Sequence, residues 1–247
     1  MKDMGLDFAK LDEAGFALLP IAVGTEDLAV FEDQIARLGK IECRKHGIDA
    51  GDSEALAAAL SLGGNYRTML FNKIKQLGIL QAITQDLIAQ LRVSGAFTRL
   101  GIDILSYYQT LKGDLPNDHL FDLPYHQDYL LTRSHRAYRA WISLRDANRV
   151  DGSVEFAVGS HHDAFEYQTG ENGYRHIPEN QIAGRFDMET IEFPAGGGVL
   201  FNPLIVHRSV PNRGKRMKFA LIIQIEDAAS LANPFDANDK LAKLIAL

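Results

Sequence analysis

Residues 191–225 read IEFPAGGGVLFNPLIVHRSVPNRGKRMKFALIIQI. Three apolar runs, 191–193, 199–201 and 219–225, are too short for helices and alternate with breakers at 194–198 and 211–214. Gly and Pro clusters of this kind supply turns. Short β segments at such spacing predict a β-sandwich or barrel. Upstream the same texture holds: 102–108, 138–144 and 154–158 read as strands, broken at Gly113/Pro116, Asp151-Gly152 and Gly159.

The texture changes near residue 95. Thr25-Glu26-Asp27 reads as a cap and acidic first turn, followed by Leu28, Phe31, Ile35 and Leu38 at helical spacing, with Gly39 closing the helix. Residues 54–60 and 79–92 read as two further helices, and the apolar run 15–20 as a strand. The final LIAL predicts a short helix that docks back. With no internal repeat or long linker, one domain is expected over 1–247. It divides into a mostly helical support (1–95), a β core (96–228) and a C-terminal tail (229–247), and the helices are expected to pack on one face of the β core.

The 247 residues are 46% hydrophobic and 23% charged, an ordinary globular composition. Lys plus Arg is 26 against 32 for Asp plus Glu, so the net charge is −6. Such a chain has no global pull toward nucleic acid or anionic membrane, though a local basic patch is free to bind a small anion. The single cysteine, Cys43, excludes an intrachain disulfide and a Cys-based zinc or iron–sulfur site. The N-terminus has no apolar signal core, and no run approaches the roughly 18–20 apolar residues of a membrane span. A reduced, cytoplasmic protein acting on a small molecule is expected, with its oligomeric state, monomer or homodimer, open.

The eight histidines are therefore the metal-ligand inventory. Two His-x-Asp pairs occur, His126/Asp128 and His161/Asp163. On a strand, residues i and i+2 face one side, so either pair can offer an imidazole and a carboxylate to one ion, or simply share a surface hydrogen bond. His207, beyond the Gly196-Gly197-Gly198 turn and a short apolar strand, reads alone as a buried, hydrogen-bonded histidine. Combined with a His-x-Asp pair it completes a facial triad of two histidines and one carboxylate, which leaves adjacent positions open on iron(II).

His126-Gln127-Asp128, Trp141, Leu144, Asp151-Gly152-Ser153, Gly159-Ser160-His161, Gly198, Phe201, His207-x-Ser209 and Asn212 with a basic residue after it resemble, in order and spacing over 102–225, the phytanoyl-CoA dioxygenase family. Gly15-Phe16 and the capped helix that follows resemble the family's opening. The resemblance implies a double-stranded β-helix, a cupin-like jelly-roll flanked by helices, and an oxygenase dependent on iron(II), 2-oxoglutarate and dioxygen. It assigns His126, Asp128 and His207 as metal ligands and gives His161 a structural turn. It implies Trp141 near the co-substrate, where core packing is the equal alternative. A carboxylate at Asp128 argues against halogenation, because related halogenases carry a small residue there.

The distal carboxylate of 2-oxoglutarate needs a hydroxyl and a cation, since an unpaired buried carboxylate is costly. Ser209 matches the family's hydroxyl. The family's arginine, eleven residues after the distal histidine, corresponds to Lys218, with Arg216 two residues earlier. Both offsets are odd, so parity does not choose between them. The ungapped match favours Lys218; the bidentate fork of a guanidinium favours Arg216. Tyr107, Tyr108 and Lys112 are further candidates to line the pocket. Arg133, His135, Arg136 and Arg139 form a basic run, read as a solvated loop or as recognition of an anionic substrate. Residues 166–186 read as a long loop, either a lid or surface decoration. The rival reading is a metal-dependent jelly-roll isomerase or a non-catalytic binder of small molecules.

Overall fold

In the computed structural model, alternation along the strands sorts the apolar residues onto the two faces of a sheet. The structure describes residues 5–19, 22–51, 54–118, 122–128, 134–170, 173 and 175–232. Strands β1 (Phe16–Leu19), β2 (Leu105–Asp114), β3 (Ala137–Ser143), β8 (Gly198–Phe201) and β10 (Lys218–Asp227) form an antiparallel sheet in the order β1-β8-β3-β10-β2. A second antiparallel sheet holds β4 (Ser153–Ala157), β7 (Met188–Thr190) and β9 (His207–Val210) in the order β7-β4-β9. His126 pairs with His207 and extends this sheet beyond β9. Two short strands, β5 (Gln168–Thr169) and β6 (Arg175–His176), make a separate hairpin.

The first sheet turns Ala140, Ile142, Leu200, Phe219, Leu221 and Ile223 outward, where they are buried with Phe31, Ile35, Leu56, Leu80 and Leu87. Those partners come from helices α2 (Thr25–Lys45), α3 (Ala55–Leu60) and α5 (Gly78–Val93). The opposite face carries Phe16, Trp141, Val199, Phe201 and Ala220, which meet Val154, Phe156 and Ile191 of the second sheet side. Each such large side chain, fully buried, contributes about 1.5–3 kcal/mol. The helices thus cover one face and leave the sandwich interior for the site.

Several boundaries differ from expectation. Gly39 does not end α2, which continues to Lys45. A Cβ on Gly39 would stand 2.4 Å from the Leu56 backbone nitrogen, so glycine is needed for the close approach of α2 and α3. Thr25 lies inside the helix, and Gly24 occupies the cap without a side-chain bond. Helices α1 (Phe8–Ala14), α4 (Gly64–Ile74) and α6 (Ala96–Arg99) have a periodicity too weak to announce them in the sequence. Residues 191–193 follow strand β7 instead of forming one, and Phe193 makes only a bridge to Ala147. Strand β2 runs through Gly113 to Asp114, because β10 pairs with it along its whole length. The expected docking of the LIAL segment falls outside the described residues.

Candidate metal centre

His126 and His207 exchange backbone hydrogen bonds at 2.9 and 3.0 Å, which sets their rings 4.2 Å apart between centroids. Asp128 is not in the ladder; its N–H donates to the Pro203 carbonyl at 2.8 Å. That bond folds its carboxylate back between the rings. His126 Nε2 lies 3.6 Å from Asp128 Oδ1, and His207 Nε2 lies 3.9 Å from Asp128 Oδ2. Ligand atoms of all three residues fall within 4.8 Å of one another, and they are a group able to hold a metal ion.

The other imidazole nitrogens fix the tautomers. His126 Nδ1 is 2.8 Å from the Pro124 carbonyl, and His207 Nδ1 is 3.0 Å from the Ile205 carbonyl. A carbonyl accepts only, so Nδ1 carries the proton in each ring and the Nε2 lone pair faces the common point. Burial, reinforced by His126, pushes His207 down to about 4, so its lone pair stays available at neutral pH. Burial opposes the Asp128 charge, yet His207, His126 and Arg139 together outweigh it and hold the carboxyl below its usual range.

The solvated-loop reading of the basic run fails at Arg139. Among the described residues it is the largest fully buried side chain, with Nε 3.5 Å from Asp128 Oδ2 and Nη2 donating to the Asp128 carbonyl at 3.3 Å. Mid-strand in β3, it points to the same face as Trp141. Arg136 behaves as a surface residue, 3.7 Å from Asp227 and bonded to the Gly101 carbonyl. Arg133 lies outside the described residues.

The cavity at the triad is lined by Lys112, Leu123, Trp141, Ser153, Val154, Phe201, Arg208, Ser209 and Ile222. Ser209 Oγ accepts from Lys112 Nζ at 2.5 Å and from the Leu123 N–H at 3.0 Å. Lys218 is buried, with Nζ 3.1 Å from Asp114 Oδ2 and 5.3 Å from the Trp141 ring centroid. Lys112 Nζ is 3.7 Å from Asp114 Oδ1. Arg216 is not brought to this cavity. Strand β10 starts at Lys218, so alternation does not extend back to residue 216, and the Arg216 side chain is 61% exposed and 3.6 Å from Glu32. Tyr107 and Tyr108 are also elsewhere, on a groove with Gln81 and Thr84.

His161 stands apart from the triad, with Nε2 3.1 Å from the Asp12 carbonyl. Its neighbour Ser160 accepts the Val206 N–H at 2.8 Å and so braces the residue before His207. Asn212 ties the β9–β10 turn to β2 by donating to the Asp114 and Arg216 carbonyls. Within 166–186, Ile177 and Ile182 are buried with Tyr125 and Val206, and the Ile177 N–H donates to the Tyr125 carbonyl at 2.7 Å. Ile177 and Ile182 thus pack beside Tyr125, the residue before His126.

A jelly-roll with two histidines and one carboxylate converging between its sheets defines a class of metal-site protein. The chain belongs to the phytanoyl-CoA dioxygenase (PhyH) family, whose model matches residues 11–220. No curated protein matches it significantly. Among solved structures it is similar to EctD from S. alaskensis, solved with 2-oxoglutarate and 5-hydroxyectoine, at TM-score 0.61 and 15% identity over 93% of this chain and 78% of that one. It is similar to EvdO2 from Micromonospora carbonacea var. aurantiaca, solved with 2-oxoglutarate, at TM-score 0.55 and 16% identity over 92% of each chain. It is also similar to SnoK, a non-heme alpha-ketoglutarate-dependent carbocyclase of nogalamycin biosynthesis, at TM-score 0.55 and 17% identity over 89% and 82%. These likenesses establish the double-stranded β-helix fold. Among the described residues, no helix is long and apolar enough to cross a membrane.

Proposed function

We propose that this protein is an iron(II)- and 2-oxoglutarate-dependent dioxygenase that hydroxylates an unactivated C–H bond of a small molecule. The observation that carries this reading is the pair of anchored Nδ1 atoms, which leaves two Nε2 lone pairs and one carboxylate aimed at a common point. A mixed nitrogen and oxygen donor set of this kind suits iron(II). Iron(II) with 2-oxoglutarate and dioxygen supplies an oxidant able to attack such a bond, with release of succinate and carbon dioxide.

His126, Asp128 and His207 hold the metal. Arg139 keeps Asp128 ionised and oriented. Ser209 and Lys112 grip the distal carboxylate of 2-oxoglutarate. A serine hydroxyl has one proton and two lone pairs, and both lone pairs are engaged by Lys112 and Leu123, so the O–H is left to donate into the cavity. Trp141, Phe201 and Ile222 wall the cavity with apolar surface and exclude water from the reacting centre. The 2-oxoglutarate present with EctD and with EvdO2 supports this choice of co-substrate. The carbocyclase SnoK makes product analysis necessary, since ring closure and hydroxylation draw on the same ligands.

The test is spectroscopic and then chemical. Under argon, adding 2-oxoglutarate to the iron(II)-loaded protein should raise a visible charge-transfer band. In air, succinate should form with a suitable substrate. If iron(II) binds but no band and no succinate appear across a broad panel, the isomerase or binder reading replaces this one.

A further inference from the structure

We propose that Lys218, which stands where the family pattern places its carboxylate-binding arginine, acts on the co-substrate through Asp114 and Lys112 and does not touch it. This rests on the reading above that 2-oxoglutarate is the co-substrate.

Strand register sets the arrangement. Lys218 stands directly across from Asp114 on β2, and Lys112 stands across from Ala220. Residues 112, 114, 218 and 220 therefore share the inner face. Only one of the two lysines reaches the cavity. The Lys112 side chain is 16% exposed and lines the cavity beside Ser209. The Lys218 side chain is 1% exposed and does not line it. Burial, and more weakly the neighbouring Lys112, push the Lys218 ammonium below its ordinary range, while Asp114, and least of all Asp122, pull it back.

Charge counting within the ion-paired trio gives the consequence. Lys112, Lys218 and Asp114 sum to one positive charge, which matches one distal carboxylate, and Asp122 is the weakest of the influences on Lys218. Asp114 lies between the two ammonium groups, 3.1 Å from Lys218 and 3.7 Å from Lys112. While Lys218 occupies Asp114, Lys112 keeps its charge for the cavity. One Lys112 N–H is spent on Ser209. Its other two N–H groups, together with the Ser209 O–H, provide three donors for two carboxylate oxygens. Remove Lys218, and the buried Asp114 carboxylate turns to Lys112 and neutralises it. Lys218 is thus a positioning residue, and its loss is repaired by removing Asp114 as well.

The experiment titrates 2-oxoglutarate into the full-length, iron(II)-loaded protein under argon and reads the charge-transfer band. Thermal melting confirms that each variant folds. Lys112→Ala should weaken binding roughly ten- to a hundredfold, the worth of a charge-assisted hydrogen bond. Lys218→Met should weaken it about tenfold, and Lys218→Met with Asp114→Asn should return to within about threefold of wild type. A double variant as weak as Lys218→Met alone would mean that Lys218 contacts the co-substrate, and wild-type affinity in Lys218→Met would mean that it has no part; either overturns the proposal. If Lys218→Met does not fold, Asp114→Asn alone decides: it should bind at least as tightly as wild type, and weaker binding overturns the proposal. A wild type that takes iron(II) yet shows no band removes the co-substrate reading itself, a result distinct from any pattern among the variants.

Discussion

Arg139 and Asp128 form a partly enclosed ion pair, with Nε 3.5 Å from Oδ2 and the guanidinium on a side chain 2% exposed. The pair links the metal centre to stability. With no metal bound, Arg139 is the one permanent cation in ion-pair contact with the Asp128 carboxylate among the described residues, the other two contacts being histidines. Arg139→Met should therefore cost about 3 kcal/mol in urea denaturation, since it strands a buried charge. Adding iron(II) should recover part of that loss, because the metal then takes over the carboxylate. An equal loss with and without metal would contradict the pairing.

His126→Ala, Asp128→Ala and His207→Ala should each abolish tight iron(II) binding, measured by anaerobic titration. His161→Ala should leave it unchanged. His161 bonds the Asp12 carbonyl and lies outside the triad, so its loss should appear in the melting temperature alone. Retained iron affinity in any of the three triad variants would remove that residue from the ligand set.

Ser209→Ala should raise the 2-oxoglutarate dissociation constant roughly three- to tenfold, the net worth of one hydrogen bond of about 0.5–1.5 kcal/mol. Iron(II) affinity should not change. Arg216→Ala should alter neither the co-substrate affinity nor the stability by more than about 0.5 kcal/mol, since its side chain is solvated and pairs only loosely with Glu32. A strong Arg216 effect on 2-oxoglutarate would restore the assignment that the strand boundary removes.

Gly39→Ala separates fold from site. The added methyl would press on the Leu56 backbone, which yields less readily than a side chain. A loss of about 1–3 kcal/mol in chemical denaturation is expected. The folded fraction should bind iron(II) with unchanged affinity, because α2 and α3 lie on the outer face of the sheet.

Local sequence patterns are enough to place the strands at 138–144, 154–158, 199–201 and 219–225, the helical N-terminal part, and the two His-x-Asp pairs. Short-range alternation and turn residues encode these, and each depends on neighbours within a few positions; the choice of His126, Asp128, His207 and Ser209 came from the resemblance to a family pattern that spans half the chain. Tertiary pairing decided the rest. Lys112 and Asp114 join the site because β2 lies beside β10, a contact between residues about a hundred positions apart that no local period records. Arg139 belongs to a basic run that reads as a solvated loop or as recognition of an anionic substrate, but β3 lies inside the sheet and buries it against Asp128. Parity leaves Lys218 and Arg216 equivalent, and in the fold the start of β10 at Lys218 separates them. Alternation assigns faces within a strand, whereas where a strand begins and what it pairs with are set by packing across the whole chain.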